Sequence, residues 1–156
     1  MSDQQRAKAR IAFARAEPLA RNKRWAEALP ELELAVSLDP GPWRYHFLRA
    51  QAAFSQGRMT AEEADRYLRG LVVPAGEPAA DVLYEAGEML LRAGKENLAK
   101  ARFKEALALF PDHHPSKRRL RLSERRADAE SDKPADSGTS SVSSVLSGLF
   151  KSRGRS

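Results

Sequence analysis

Apolar side chains recur at helical spacing from the first residues of the chain to about Arg126. The residues between them are mostly Ala, Glu, Arg and Lys, which favour helices. No stretch alternates apolar and polar residues in the way a half-buried strand does. The pattern therefore predicts an all-α fold in which each helix has one apolar face.

Three of the helical stretches align with one another: residues 24–40, 59–74 and 95–112. Each has a small residue, then a bulky residue four positions later, then an apolar residue three positions further. The three sets are Ala28, Leu32 and Ala35; Ala64, Leu68 and Leu71; and Ala99, Phe103 and Ala106. The leading alanines recur at intervals of 36 and 35 residues. A period of this length predicts stacked helix–turn–helix repeats.

The stretch 80–112, ADVLYEAGEMLLRAGKENLAKARFKEALALFPD, resembles a tetratricopeptide repeat (TPR). The residues at the positions of the TPR pattern are Leu83, Ala86, Gly87, Leu90, Ala99, Phe103, Ala106 and Pro111, with Gly94 at the usual turn glycine. The resemblance implies that Gly87 and Ala99 let two helices approach closely, and that Phe103 fills the space between them.

Two further, degenerate repeats precede this one, so the three repeats cover about 9–40, 43–76 and 80–112. Pro18 lies inside the first predicted helix and is expected to bend it. A helix at about 114–130 is expected to cap the last repeat, with Leu120 and Leu122 facing inward. We therefore predict a TPR domain over residues 1–130, built as a short α-solenoid of about three helix–turn–helix repeats plus this capping helix.

The charge is concentrated near the C-terminus. The net charge is +6, yet residues 1–112 have 17 Lys and Arg against 16 Asp and Glu, whereas residues 113–156 have 10 against 5. The chain has no cysteine, which excludes disulfides and thiol catalysis. The start, MSDQQRAKAR, is too charged for a signal peptide, and no apolar run approaches the roughly 18 residues of a membrane span. The cytoplasm is the expected location.

The resemblance also implies a concave groove lined by the first helix of each repeat. The groove positions hold Arg10, Phe13, Glu17 and Arg21, then Arg44, Phe47, Gln51 and Phe54, then Asp81, Tyr84, Glu88 and Arg92. Phe13, Phe47 and Tyr84 occupy the same position in the three repeats, so they form either an aromatic ladder for a peptide or packing contacts between helices. TPR proteins that bind the acidic C-terminal tails of heat-shock chaperones have a Lys, Asn and Arg clamp. Here the clamp positions hold Phe13, Glu17, Leu48 and Gln51, which argues against that function.

Residues that could perform catalysis or bind a metal are few. His46 lies in a predicted helix, and His113 and His114 are expected to be solvated residues of a turn. No other ligand spacing completes a metal site around them. No glycine-rich phosphate loop or Ser/His/Asp set stands out. The sequence therefore predicts a protein that is not an enzyme and has no cofactor or metal.

The C-terminal region contains two features of its own. Residues 131–141 are polar and rich in Ser and Asp, which predicts a disordered linker. In the amphipathic, basic stretch 142–156, one helical face would hold Val142, Val145, Leu146, Leu149 and Phe150. We interpret this stretch as a docking motif that folds on a partner, on another copy of the chain or, less favoured, on a membrane; chance clustering is the remaining alternative.

The function predicted from the sequence is a non-enzymatic adaptor whose concave groove binds a peptide segment of another protein. One alternative is a secretion-type chaperone that shields an apolar segment of a client. Another is binding to RNA or an anionic membrane surface through KRRLRLSERR (117–126), which is otherwise a solvated capping face.

Overall fold

The computed structural model describes residues 1–132, and this part of the chain forms α-helices and no strand. The helices are α1 (Asp3–Arg21), α2 (Trp25–Leu38), α3 (Trp43–Ser55), α4 (Ala61–Arg69), α5 (Glu77–Arg92), α6 (Glu96–Leu109) and α7 (His114–Ser131). The docking motif predicted at 142–156, and all but the first two residues of the linker predicted at 131–141, lie outside the described residues.

Residues 1–120 form one compact unit, and its boundary falls within α7. In this unit α1 packs on α2 and α5 packs on α6, while α2 contacts α3 and α4 contacts α5. The predicted all-α fold of three helix–turn–helix repeats is therefore confirmed: the repeats are α1–α2, α3–α4 and α5–α6.

The core is made of small residues into which a few large side chains insert. The largest cluster surrounds Phe103, which is 2% exposed, and it joins residues of α3, α4, α5 and α6. A second cluster joins α1 and α2 to Ala52 and Ala53 of α3. A third contains Tyr45 of α3 with alanines of α1 and α2. Each cluster crosses from one repeat to the next, so no repeat buries its apolar residues alone.

The two helices of the third repeat approach each other closely at Gly87. A Cβ atom added to this residue would lie 2.5 Å from Cε1 of Phe103 and 2.9 Å from Cδ1. The absence of a side chain on α5 therefore lets the Phe103 ring of α6 pack directly against the α5 backbone, as the resemblance implied.

The turn within each repeat has the same backbone geometry. Lys23, Gly57 and Gly94 have φ angles of 59°, 71° and 79°, and each follows the C-cap residue of the first helix. The next amide donates to a carbonyl five residues earlier at 2.8 Å in all three turns. This is the Schellman motif, whose left-handed residue is usually glycine. Only the first repeat has a lysine there.

Proline and glycine residues bear on how α1 and α4 end. α1 continues through Pro18 to Arg21, and the carbonyl of Pro18 still accepts a hydrogen bond from the amide of Asn22. Pro18 therefore does not end the helix, although it has no amide hydrogen to donate to the carbonyl of Ala14. α4 ends at Arg69, so Leu71 follows the helix instead of belonging to it. Gly70 and Pro74 explain the early end, although Leu71 still packs against the Phe103 cluster.

A buried ion pair connects α4 to α6. The Arg102 guanidinium donates from Nε to Oδ1 of Asp65 at 2.7 Å and from Nη2 to Oδ2 at 2.9 Å. Both side chains are about nine-tenths buried, and the hydrogen bonds to Asp65 raise the pKa of Arg102. The two-point contact fixes the second helices of neighbouring repeats against each other.

The inward orientation predicted for Leu122 is wrong. Leu120 packs against the Phe103 cluster, but Leu122 is 39% exposed. Residues two positions apart on an α-helix point about 200° apart, so these two leucines cannot both face the same side.

Candidate functional site

An open groove of about 750 Å³ lies on the face formed by α1, α3 and α5. It is lined by Glu17, Ala20, Arg21, Lys23, Trp25, Arg44, Leu48, Gln51, Ser55, Tyr84, Glu85, Glu88, Leu91, Arg92 and Arg119. Most of these residues lie three or four positions apart on the first helix of a repeat. That spacing puts them on one face of each helix, opposite the face that packs on its second helix.

Within the groove, Glu88 accepts two hydrogen bonds at the same oxygen. The Tyr84 hydroxyl donates to its Oε2 at 2.7 Å, and Arg119 Nη2 donates to it at 2.9 Å. Burial, followed by the nearby Glu88 carboxylate, raises the pKa of Tyr84 to about 12. Tyr84 is therefore a neutral hydrogen-bond donor at physiological pH, and Glu88 is already engaged by groups of the protein.

The other two carboxylates of the groove are also engaged. Glu17 of α1 accepts a hydrogen bond from Arg44 of α3 at 3.3 Å. Glu85 of α5 has its pKa raised mainly by burial, while a hydrogen bond with Gln51 opposes that rise. Both contacts join first helices of neighbouring repeats across the groove.

Unlike the carboxylates, not all cationic side chains of the groove have a charged partner. Arg21 and Lys23, at the end of α1 and in the following turn, form no ion pair or hydrogen bond with side chains of residues 1–132. The Arg92 guanidinium lies 5.1 Å from the centre of the Phe54 ring, a cation–π contact that leaves its N–H groups available. The unmatched charge of this surface is therefore positive.

The groove lining includes seven of the twelve positions predicted from the sequence. These are Glu17, Arg21, Arg44, Gln51, Tyr84, Glu88 and Arg92. Arg10, Phe13, Phe47, Phe54 and Asp81 are not among the lining residues. That the lining residues bind a peptide stays a prediction.

The three rings of the predicted aromatic ladder mainly contact other parts of the protein. The Phe13 ring centre lies 4.6 Å from that of Tyr45, and the Phe47 centre lies 5.8 Å from that of Trp43. Tyr84 packs on Phe103 at 5.6 Å while it also lines the groove. Of the two interpretations left open by the sequence, these contacts favour packing between helices for Phe13, whereas Phe47 contacts Trp43 of its own helix and packs against the Phe103 cluster.

Eight residues that line the groove were not among the predicted positions: Ala20, Lys23, Trp25, Leu48, Ser55, Glu85, Leu91 and Arg119. Leu48 and Ser55 share a helical face with the predicted Arg44 and Gln51, so their spacing was an available signal. Trp25 begins α2 and Arg119 lies in α7, and no pattern within the first helices of the repeats could have pointed to them.

The expectation that His113 is a solvated turn residue is wrong. Its side chain is 2% exposed, with Nε2 bonded to Oδ1 of Asp81 at 2.8 Å and Nδ1 to Oγ of Ser116 at 2.8 Å. The Asp–His–Ser order is that of a hydrolytic triad, but Ser116 is fully buried and cannot reach a substrate. The set instead joins the start of α7 to α5. His114 is exposed, as expected.

His46 also has partners within the protein, namely the Tyr67 hydroxyl and the carbonyl of Pro40. Within residues 1–132, no group of three or more His, Cys, Asp or Glu side chains could hold a metal ion. No helix in this part of the chain is both long and apolar enough to cross a membrane.

Only some side chains of the basic run 117–126 are exposed and could contact another molecule. Arg119 is bonded to Glu88, and Leu120 packs on the core. Arg118, Arg121 and Arg125 are exposed. Binding of RNA or an anionic membrane through these residues stays a prediction.

Solved structures have the same arrangement of paired helices. The Arabidopsis OM64 TPR domain superposes with a TM-score of 0.59 at 17% identity, over 78% of this chain and 95% of that domain. The chain has the tetratricopeptide repeat fold. The N-terminal domain of stress-induced protein-1 (STI-1) from C. elegans matches this TPR fold equally well, with a TM-score of 0.59 at 17% identity, over 78% of this chain and 99% of that domain.

The comparisons by sequence find no counterpart. No protein-family model matches the chain. No curated protein matches it significantly either. The TPR fold is therefore shown by the structure and is consistent with residues such as Gly87, Gly94 and Phe103.

Proposed function

We propose that the protein is a non-enzymatic adaptor whose groove binds a peptide segment of another protein. The observation that carries this proposal is the open groove of about 750 Å³ lined by the first helices of all three repeats. Its size is in the range of cavities that enclose a small ligand or several peptide side chains.

The groove has the composition expected of a peptide site. Trp25, Leu48 and Leu91 offer apolar surface, and Gln51, Ser55 and Tyr84 supply polar groups beside them. Since the groove lies on rigid helices tied by Glu17–Arg44 and Glu88–Arg119, its shape is largely formed before a peptide arrives. A preformed site avoids part of the entropy cost of binding.

The test uses a library of random peptides displayed on phage, selected on the protein and on a blocked variant. Ser55→Trp introduces an indole at the half-buried end of α3, inside the groove, and is expected to abolish binding of the selected peptides. Lys104→Trp adds the same ring at an exposed position of α6 outside the groove and serves as the matched control. Circular dichroism confirms that both variants fold. Selected peptides that bind Ser55→Trp as tightly as the unchanged protein would rule the groove out.

A further inference from the structure

We propose that the groove selects an acidic segment, with Asp or Glu side chains next to a large apolar residue. This inference rests on the proposed function, and it assigns the chemical class of the partner. It depends on the balance of charge in the groove and on where its apolar surface lies.

The charge balance favours an anionic partner. Five cationic side chains line the groove: Arg21, Lys23, Arg44, Arg92 and Arg119. Three carboxylates line the groove, those of Glu17, Glu85 and Glu88. Each already takes part in a hydrogen bond described above. A bound carboxylate would therefore meet Arg21 and Lys23, which form no ion pair within residues 1–132, instead of competing for cations that are already bonded to a carboxylate.

The available cations lie at or just after the C-terminal ends of α1 and α5. Arg21 and Arg92 end α1 and α5, and Lys23 is in the turn that follows α1. Arg44 and Arg119 are bonded to Glu17 and Glu88 and stabilise the groove itself. Arg21, Lys23 and Arg92 are thus the residues expected to bind the acidic side chains of the partner.

Apolar surface lies beside these cations. Ala20 immediately precedes Arg21, Leu91 immediately precedes Arg92, and the half-buried Trp25 follows Lys23 by two residues. Leu48 of α3 lines the same groove. A large apolar side chain of the peptide would be buried here, while neighbouring carboxylates reach the exposed guanidinium and ammonium groups.

The C-terminal stretch of the chain has the wrong charge for this groove. Residues 142–156 contain Lys151, Arg153 and Arg155 and no acidic residue. Like charges would oppose its binding to a cationic groove, whether from the same chain or from another copy. The partner is therefore expected to be a different protein.

The test extends the phage selection, with peptides displayed so that they have no free C-terminal carboxylate. The charge variant is Arg21→Glu with Lys23→Glu. Its control is Arg58→Glu with Lys104→Glu, which changes the net charge equally at two exposed positions outside the groove. Binding of the best peptides is measured by fluorescence anisotropy at two salt concentrations, after circular dichroism has confirmed that each variant folds.

We expect selected peptides to be rich in Asp and Glu around a large apolar residue. Their affinity should fall roughly tenfold or more in the charge variant and less than about twofold in the control. It should also fall as the salt concentration rises. Selected peptides that no longer bind Ser55→Trp but lack acidic residues would contradict an acidic partner and leave the proposed groove function intact. The same holds for peptides that no longer bind Ser55→Trp but bind the charge variant as tightly as the unchanged protein. Peptides that are indifferent to Ser55→Trp, or no enrichment at all, would overturn both.

Discussion

At Gly87 the backbone of α5 is in close contact with the Phe103 ring. An alanine here would gain up to about 1 kcal/mol in helix propensity, since glycine is a poor helix former. Against this, its Cβ would lie 2.5 Å from a ring atom of Phe103, whose side chain is buried. Steric overlap in a packed core costs about 1–3 kcal/mol, so the packing effect exceeds the propensity effect.

We therefore predict that Gly87→Ala lowers the free energy of unfolding by about 1–2 kcal/mol, measured by urea denaturation. Gly70→Ala is the control, because its Cβ would meet only ordinary contacts at 3.5 Å and beyond. Combining Gly87→Ala with Phe103→Leu should cost less than the sum of the two single changes, because the smaller side chain relieves the overlap. Strict additivity would contradict this account of the contact.

The raised pKa of Glu85 predicts that the free energy of unfolding depends on pH. Burial raises its pKa, so its folded-state pKa lies above the unfolded one. Such a group stabilises the fold most at low pH, and this contribution is lost as the pH rises through the raised pKa. At pH 7 the ionised carboxylate is therefore less favourable in the folded state than in the unfolded state.

Glu85→Gln should accordingly raise the free energy of unfolding at pH 7. The difference from the unchanged protein should shrink as the pH falls through the raised pKa of Glu85 toward 4. Urea denaturation of both proteins at several pH values measures this difference in the free energy of unfolding. The contributions of other titrating groups largely cancel in the difference. A difference that stays constant with pH would show that burial does not raise this pKa.

At the scale of secondary-structure elements, the three repeat turns share one backbone motif but differ in the residue at its left-handed position. Gly57 and Gly94 adopt a positive φ readily, whereas Lys23 has a Cβ that opposes it. The left-handed conformation costs a non-glycine residue about 1–2 kcal/mol. A glycine avoids this cost, but it loses more conformational entropy on folding, which cancels part of the gain in stability.

Lys23→Gly is therefore expected to stabilise the protein by about 0.5–1 kcal/mol, and Gly94→Ala to destabilise it by about 1 kcal/mol. Thermal unfolding followed by circular dichroism measures both changes. Lys95→Gly provides the control for adding a glycine, because Lys95 has a φ of −93° and needs no glycine. Destabilisation by Lys23→Gly comparable to that of Lys95→Gly would exclude backbone strain at this turn.

At the scale of the whole molecule, each core cluster is shared between neighbouring repeats. The cluster of α1 and α2 includes Ala52 and Ala53 of α3, and the third cluster includes Tyr45. A single helical hairpin therefore lacks part of its own core, and stability is expected to arise from the stacked repeats.

A fragment of residues 1–40 should consequently be largely unfolded, whereas residues 1–132 should unfold in one cooperative transition. Circular dichroism with thermal denaturation distinguishes these outcomes. A cooperative transition in the isolated fragment would show that the first repeat is self-sufficient, in conflict with the shared clusters.

Much of this molecule follows from local sequence. Helical periodicity, the intervals between Ala28, Ala64 and Ala99, and the turn glycines predict the helices and their pairing, because each depends on residues close together in the chain. The early end of α4 also had a local signal in Gly70 and Pro74, which the apolar spacing of Leu71 obscured.

The tertiary structure decided which side of each helix faces the groove and what completes it. Spacing alone could not separate Phe13 and Phe47, which pack on rings of the protein, from Tyr84, which lines the groove. Spacing also could not predict that Arg119 bonds to Glu88 or that His113 is buried against Asp81, since these pairs are 31 and 32 residues apart. Periodicity determines which residues share a face, but the angles at which helices pack determine what that face meets.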